Sequence, residues 1–84
     1  MFYVYIFRSK KDSYIYTGLT NNTDRRLQEH NSGQVKPTKA HTPFEIIHTE
    51  FFETRYEARS REKFFKTGTG RELRNKLLSK YIPR

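Results

Sequence analysis

Residues 2–7 (Phe-Tyr-Val-Tyr-Ile-Phe) are an unbroken run of aromatic and β-branched side chains, the composition of a strand. A period of two puts Phe2, Val4 and Ile6 on one face and Tyr3, Tyr5 and Phe7 on the other. A polar break from Arg8 to Ser13 leads into Tyr14-Ile15-Tyr16-Thr17, the predicted second strand of a hairpin, with Tyr14 and Tyr16 on one face and Gly18 ending it. Asn21-Asn22-Thr23-Asp24 supplies helix-starting residues, so a short helix is expected over Arg25–His30, stopped by Asn31-Ser32-Gly33. Residues 34–43 are polar, hold Lys36, Lys39 and His41, and read as a loop. Phe44 to Phe52 regains apolar, β-branched character as a third strand. The capping box Thr54-x-x-Glu57 starts a helix at Arg55 that runs to about Lys66. Thr67-Gly68 breaks it, and Thr69-x-x-Glu72 repeats the capping pattern ahead of a last helix with Leu73, Leu77 and Leu78 on one side. The order strand-strand-helix-strand-helix-helix predicts an α+β fold: a small three-stranded, antiparallel sheet flanked by helices, in one domain over residues 1–84.

Only 33% of the 84 residues are hydrophobic, but 15% are aromatic, so large rings must supply much of the core. The absence of cysteine excludes a disulfide framework and a thiolate zinc site. The apolar run at residues 2–7 is too short to span a membrane and lacks a basic leader, so a soluble cytoplasmic protein is expected. Charge changes the picture more. Residues 1–54 hold seven Lys/Arg against six Asp/Glu, whereas residues 55–84 hold ten against three. A basic second half beside a nearly neutral first half points to a polyanion partner.

Ala58, Glu62 and Phe65 lie at i, i+4 and i+7, so Glu62 shares the stripe of its helix's expected core contacts. A carboxylate there is tolerated when it is paired, with Arg59, Arg61 or Lys66, or when it ligates a metal. Arg26 and His30 are also one turn apart; together they suit a phosphate and a proton, or simply a solvated helix face. The tyrosines of the hairpin serve equally as core, as stacking surfaces, or as a base if nearby cations lower a phenol's pKa.

These residues, in order, resemble the GIY-YIG nuclease family, in its compact stand-alone form. Tyr3-Val4-Tyr5 stands where that family has Gly-Ile-Tyr, and Tyr16-Thr17-Gly18 where it has Tyr-Ile-Gly, with ten residues between the triplets. Asn22 to His30 is similar to the helix that carries the family's essential arginine, here Arg26, and Arg61-Glu62-Lys63 to the helix that carries its metal-binding glutamate. Tyr3 departs from the glycine, and Leu19 stands where some members have a lysine, leaving Arg25 or Arg26 to supply that charge.

The resemblance implies phosphodiester hydrolysis with one divalent ion, Mg²⁺ or Mn²⁺, held by Glu62. It implies Arg26 on the scissile phosphate, Tyr5 as the group activating water with Tyr16 as its rival, and His30 assisting with a proton or hydrogen bond. Arg25, Arg26, Lys36, Lys39, Arg59, Arg61, Lys63, Lys66 and Arg71 are the candidate nucleic-acid contacts, within a basic second half that also holds Arg55, Arg74 and Lys76. The expected function is a metal-dependent DNA endonuclease of low sequence specificity, selecting single-stranded, duplex or branched substrates by structure, with RNA as the alternative polymer. A non-catalytic nucleic-acid-binding module, or a nuclease subunit of the same fold, is the competing expectation.

Overall fold

The computed structural model describes residues 1–80; residues 81–84 of the expected domain lie outside that range. Strands β1 (Phe2–Ser9) and β2 (Ile15–Thr20) are followed by helix α1 (Thr23–Asn31), strand β3 (Phe44–Phe52) and helices α2 (Arg55–Phe65) and α3 (Gly68–Ser79). The sheet is antiparallel in the order β2-β1-β3, so the most apolar segment of the chain becomes its central strand.

The alternation along β1 assigns its two faces. Val4 and Ile6 pack with Ile47, Ala58, Phe65 and Leu78 beneath α2 and α3. Tyr5 and Phe7 pack with Phe44, Tyr16, Leu27 and Ile46 on the side of α1. A bulge in β3 serves both layers. Ile6 pairs with His48 and Phe7 with Ile46, so Ile47 is the extra residue. Ile46 and Ile47 consequently enter opposite cores.

Several elements differ from the sequence expectation, β1 running on to Ser9 and α1 spanning Thr23–Asn31 among them. Strand β2 begins after Tyr14, which belongs to the turn: the Asp12 carboxylate accepts from its backbone N–H at 2.9 Å. At its other end β2 runs through Gly18 to Thr20, and Gly18 pairs with Tyr5 instead of ending the strand. The segment expected as a loop contains a 3-10 helix, Lys36–His41, whose Thr38 is fully buried. Finally, α3 is capped by Thr67, not Thr69. The Thr67 hydroxyl accepts from the Gly70 N–H at 3.1 Å and donates to the Phe64 carbonyl at 2.6 Å, joining the end of α2 to the start of α3 without a loop.

Gly70 explains why that earlier start wins. A Cβ at this position would strike the Phe64 carbonyl and the Phe65 backbone, so only glycine lets the first turn of α3 seat on the end of α2. Gly70→Ala is therefore expected to destabilise the protein by about 3 kcal/mol, the upper part of the overpacking range, because the atoms struck are backbone. A denaturation midpoint unchanged from the wild type would contradict this packing.

Candidate active site

A cleft of about 400 Å³ opens along β2, between α1 and α2. Strand β1 contributes Tyr5, β2 contributes Tyr16 and Gly18, α1 contributes Arg25, Arg26 and Glu29, and α2 contributes Arg55, Arg59 and Glu62. Groups from opposite layers of the sheet thus meet at its edge strand.

Gly18 makes the central contact possible. A Cβ there would fall on the Tyr5 hydroxyl and ring, so its absence lets the phenol lie across β2 and reach the cleft. The Tyr5 side chain is otherwise buried, and its Oη accepts from Arg26 Nε at 3.4 Å. Burial pushes the Tyr5 pKa up to about 12; the Arg26 hydrogen bond opposes this, and the neighbouring Tyr16 and Glu62 reinforce it. The expected cation-lowered phenol is therefore corrected: desolvation outweighs the arginine. The same hydrogen bond, followed by one to Glu29 at 3.0 Å, holds the Arg26 guanidinium above its ordinary range. Arg26 is permanently cationic and aimed by two partners.

Glu62 is buried with Ala58 and Phe65, as the stripe requires. Its Oε1 accepts from Arg59 Nη1 at 3.0 Å and its Oε2 from Lys66 Nζ at 3.4 Å. Two of the three cations left open by the sequence are its partners. The third, Arg61, turns away: it grips Glu50 through Nε and Nη2 at 2.7 and 3.1 Å and lies over the rings of Phe64 and Phe65. Arg61 lines neither the cleft nor the neighbouring groove, and two of its donors are engaged by a carboxylate on β3.

No group of three His, Cys, Asp or Glu side chains suited to a metal occurs among the described residues. A protein cage is thus ruled out there, but a single carboxylate is not an obstacle for a hard cation that keeps waters and takes phosphate oxygens. Two charge-assisted contacts leave Glu62 lone pairs for such an ion, so the donor set fits.

His30 does not join the cleft. It is fully buried, with Nδ1 2.9 Å from Thr38 Oγ1 and its ring edge-on to Phe7 and Phe44. Its ring centre lies 4.9 Å from that of Tyr16, so it supports the tyrosine from behind. The expectation of a presented Arg26–His30 pair is corrected for a steric reason. One turn separates a rim position, from which a long arginine reaches the cleft, from a position over the middle of the sheet. Burial first, then repulsion from Arg26, lowers the His30 pKa to about 4, with Glu29 opposing.

That shift has a consequence for stability. The unfolded chain takes up the proton near 6.5 while the folded chain resists until about 4. Stability is full above the first value and falls as pH drops between the two, by roughly 3 kcal/mol in total. His30→Phe, which keeps an aromatic ring there, is expected to remove most of that slope between pH 6.5 and 4 in urea denaturation series.

Of the remaining cations, Lys36, Lys39 and Lys63 are exposed and line no part of the cleft. Lys66 and Arg71 line a neighbouring groove. Arg55, one basic residue among many in the sequence, does line the cleft. Its signal was present: Arg55, Arg59 and Glu62 are spaced i, i+4, i+7 on one helix face.

A hairpin, an arginine helix and a glutamate helix converging on one cleft define a small nuclease-type domain, and comparison with known proteins agrees. The model of the GIY-YIG catalytic domain matches residues 1–77, and the chain belongs to that family, one of nucleases acting on nucleic acid. It is 41% identical over 83 residues to a UPF0213 protein of Clostridium perfringens, covering 98% of this chain and 88% of the relative. A UPF0213 protein of Haloquadratum walsbyi is 43% identical over 76 residues, covering 89% and 83%. The solution NMR structure of a UPF0213 protein from Bacillus halodurans superposes with a TM-score of 0.54 at 36% identity, covering 92% of this chain and 85% of that one. It shares the three-stranded antiparallel sheet with flanking helices. Among the described residues, no helix is long and apolar enough to cross a membrane.

Proposed function

We propose that this chain is a metal-dependent endonuclease, a single domain over residues 1–84, that hydrolyses DNA phosphodiester bonds with low sequence specificity and selects substrates by strand or branch structure. The observation that carries the reading is the meeting of Arg26, the Tyr5 hydroxyl, Tyr16 and the buried carboxylate of Glu62 in one cleft, from four different elements. Arg26 takes the scissile phosphate and stabilises the charge that grows on it. Glu62 would hold a Mg²⁺ or Mn²⁺ ion, which would supply charge neutralisation at the phosphate and its leaving oxygen. Tyr5 lies where its oxygen can orient a water and pass a proton, with Tyr16 beside it as the rival for that role. Arg25, Arg55 and Arg59 hold the backbone on either side. Cations and phenols facing a phosphate carry no base sequence, which supports selection by structure.

The test is incubation of the purified chain with labelled single-stranded, duplex and branched DNA, and with RNA, in magnesium, manganese or chelator. Cleavage of DNA in either metal and none in chelator is expected, with branched or single-stranded substrates cut ahead of plain duplex. Binding without cleavage in any arm would replace this reading with that of a nucleic-acid-binding module.

A further inference from the structure

A second groove of about 270 Å³ lies against the far side of Tyr16, which lines both cavities. Its cations are Lys66, Arg71 and Arg74, its aromatic wall is Tyr14 and Tyr16, and no acidic residue lines it. The cleft differs in that Glu29 and Glu62 line it and pair with Arg25, Arg26 and Arg59, whereas of the groove's cations only Lys66 reaches a carboxylate, that of Glu62. Arg71 and Arg74 form no ion pair among the described residues.

Local structure forces these charges together. Arg71 and Arg74 are spaced i, i+3 on α3, so they project to the same side. The Gly70 contact seats that turn of α3 on the end of α2, where Lys66 is the capping residue. The Nε of Arg74 is buried with no hydrogen-bond partner among the described residues, a costly arrangement for a donor. Burial, and after it the charge of Arg71, lower the Arg74 pKa. An anion in the groove would offset the mutual repulsion of Arg71 and Arg74, and the rings of Tyr14 and Tyr16 suit the sugar that accompanies a nucleic-acid phosphate.

We propose that this groove is a second phosphate subsite, which holds an internal phosphate of the same strand flanking the one at Arg26. The inference rests on the nuclease reading and extends it: the strand runs from the cleft across Tyr16 and past Lys66, whose ammonium contacts Glu62 on the cleft side. A strand held at two phosphates is drawn over the aromatic ring of Tyr16 and away from a complementary partner, so the substrate is single-stranded where it crosses that residue.

The experiment is a binding measurement in chelator, where no cutting occurs. Single-stranded oligonucleotides carry one neutral methylphosphonate at successive positions, and wild type is compared with Arg71→Ala and with Arg71→Ala/Arg74→Ala. Arg71 is exposed, so the single variant keeps its fold even if Arg74 contributes to packing. In the wild type, two separate positions are expected to weaken binding, each roughly tenfold. In the double variant, the flanking position should lose its effect while the other keeps it, and the single variant should fall between. Equal sensitivity of all three proteins at every position would overturn the subsite. So would a dependence on a 5′- or 3′-terminal phosphate alone, which would make the groove a strand-end pocket. Failure of the wild type to bind any oligonucleotide at low salt would overturn the nuclease reading together with the subsite.

Discussion

Glu62→Gln is expected to reduce cleavage by about 10³-fold in magnesium, the loss of several kcal/mol of charge stabilisation, with little change in DNA affinity. Glutamine preserves the volume and one oxygen but not the negative charge. The effect on folding should be small, and the geometry says why. Arg59 and Lys66 are both more than half exposed, so they rehydrate when their partner is neutralised, and pairs of that kind contribute about 1 kcal/mol or less. The variant should therefore unfold within about 1 kcal/mol of the wild type. Undiminished cleavage by folded Glu62→Gln in magnesium would remove Glu62 from the chemistry.

Tyr5→Phe is expected to lose about 10²–10⁴-fold in turnover and to keep its affinity, since only the hydroxyl is removed from a ring that still packs on Phe7. Tyr16→Phe should cost less. The pH profile separates the two. With a pKa of about 12, about one Tyr5 in 10⁵ is ionised at pH 7, so a rate that depends on the phenolate climbs throughout the accessible alkaline range. Below pH 10, where the unfolded tyrosine also keeps its proton, this residue adds no pH dependence to stability; between 10 and about 12 it destabilises the fold as pH rises. Activity should thus increase with pH in the wild type while stability does not yet fall. Loss of that rising limb in Tyr16→Phe but not in Tyr5→Phe would exchange their roles.

Much of the architecture was legible because local signals agreed. The alternation of Phe2 to Phe7 assigned both faces of the central strand, and Thr54-x-x-Glu57 marked the start of α2 to the residue. The start of α3 was ambiguous, since two threonines two residues apart could each cap it. The tie was broken by helix–helix contact at Gly70, which no local pattern expresses. The candidate site divided along the same line. Tyr5, Tyr16, Arg26 and Glu62 meet in one cleft, but which cation would face Glu62 depended on Glu50, eleven residues from Arg61 and on another element. His30 looked solvent-facing because α1 is so polar. With Leu27 as the one aliphatic side chain α1 offers to the core cluster beneath it, the imidazole serves as an aromatic filler over Phe7, a role decided by what the sheet needed covered.

The cleft takes Tyr5 and Arg26 from one side of the sheet and Glu62 and Arg59 from the other. Either layer docked alone leaves half a reaction centre. On the proposed function, catalytic competence requires complete assembly, with α2 seated against the sheet.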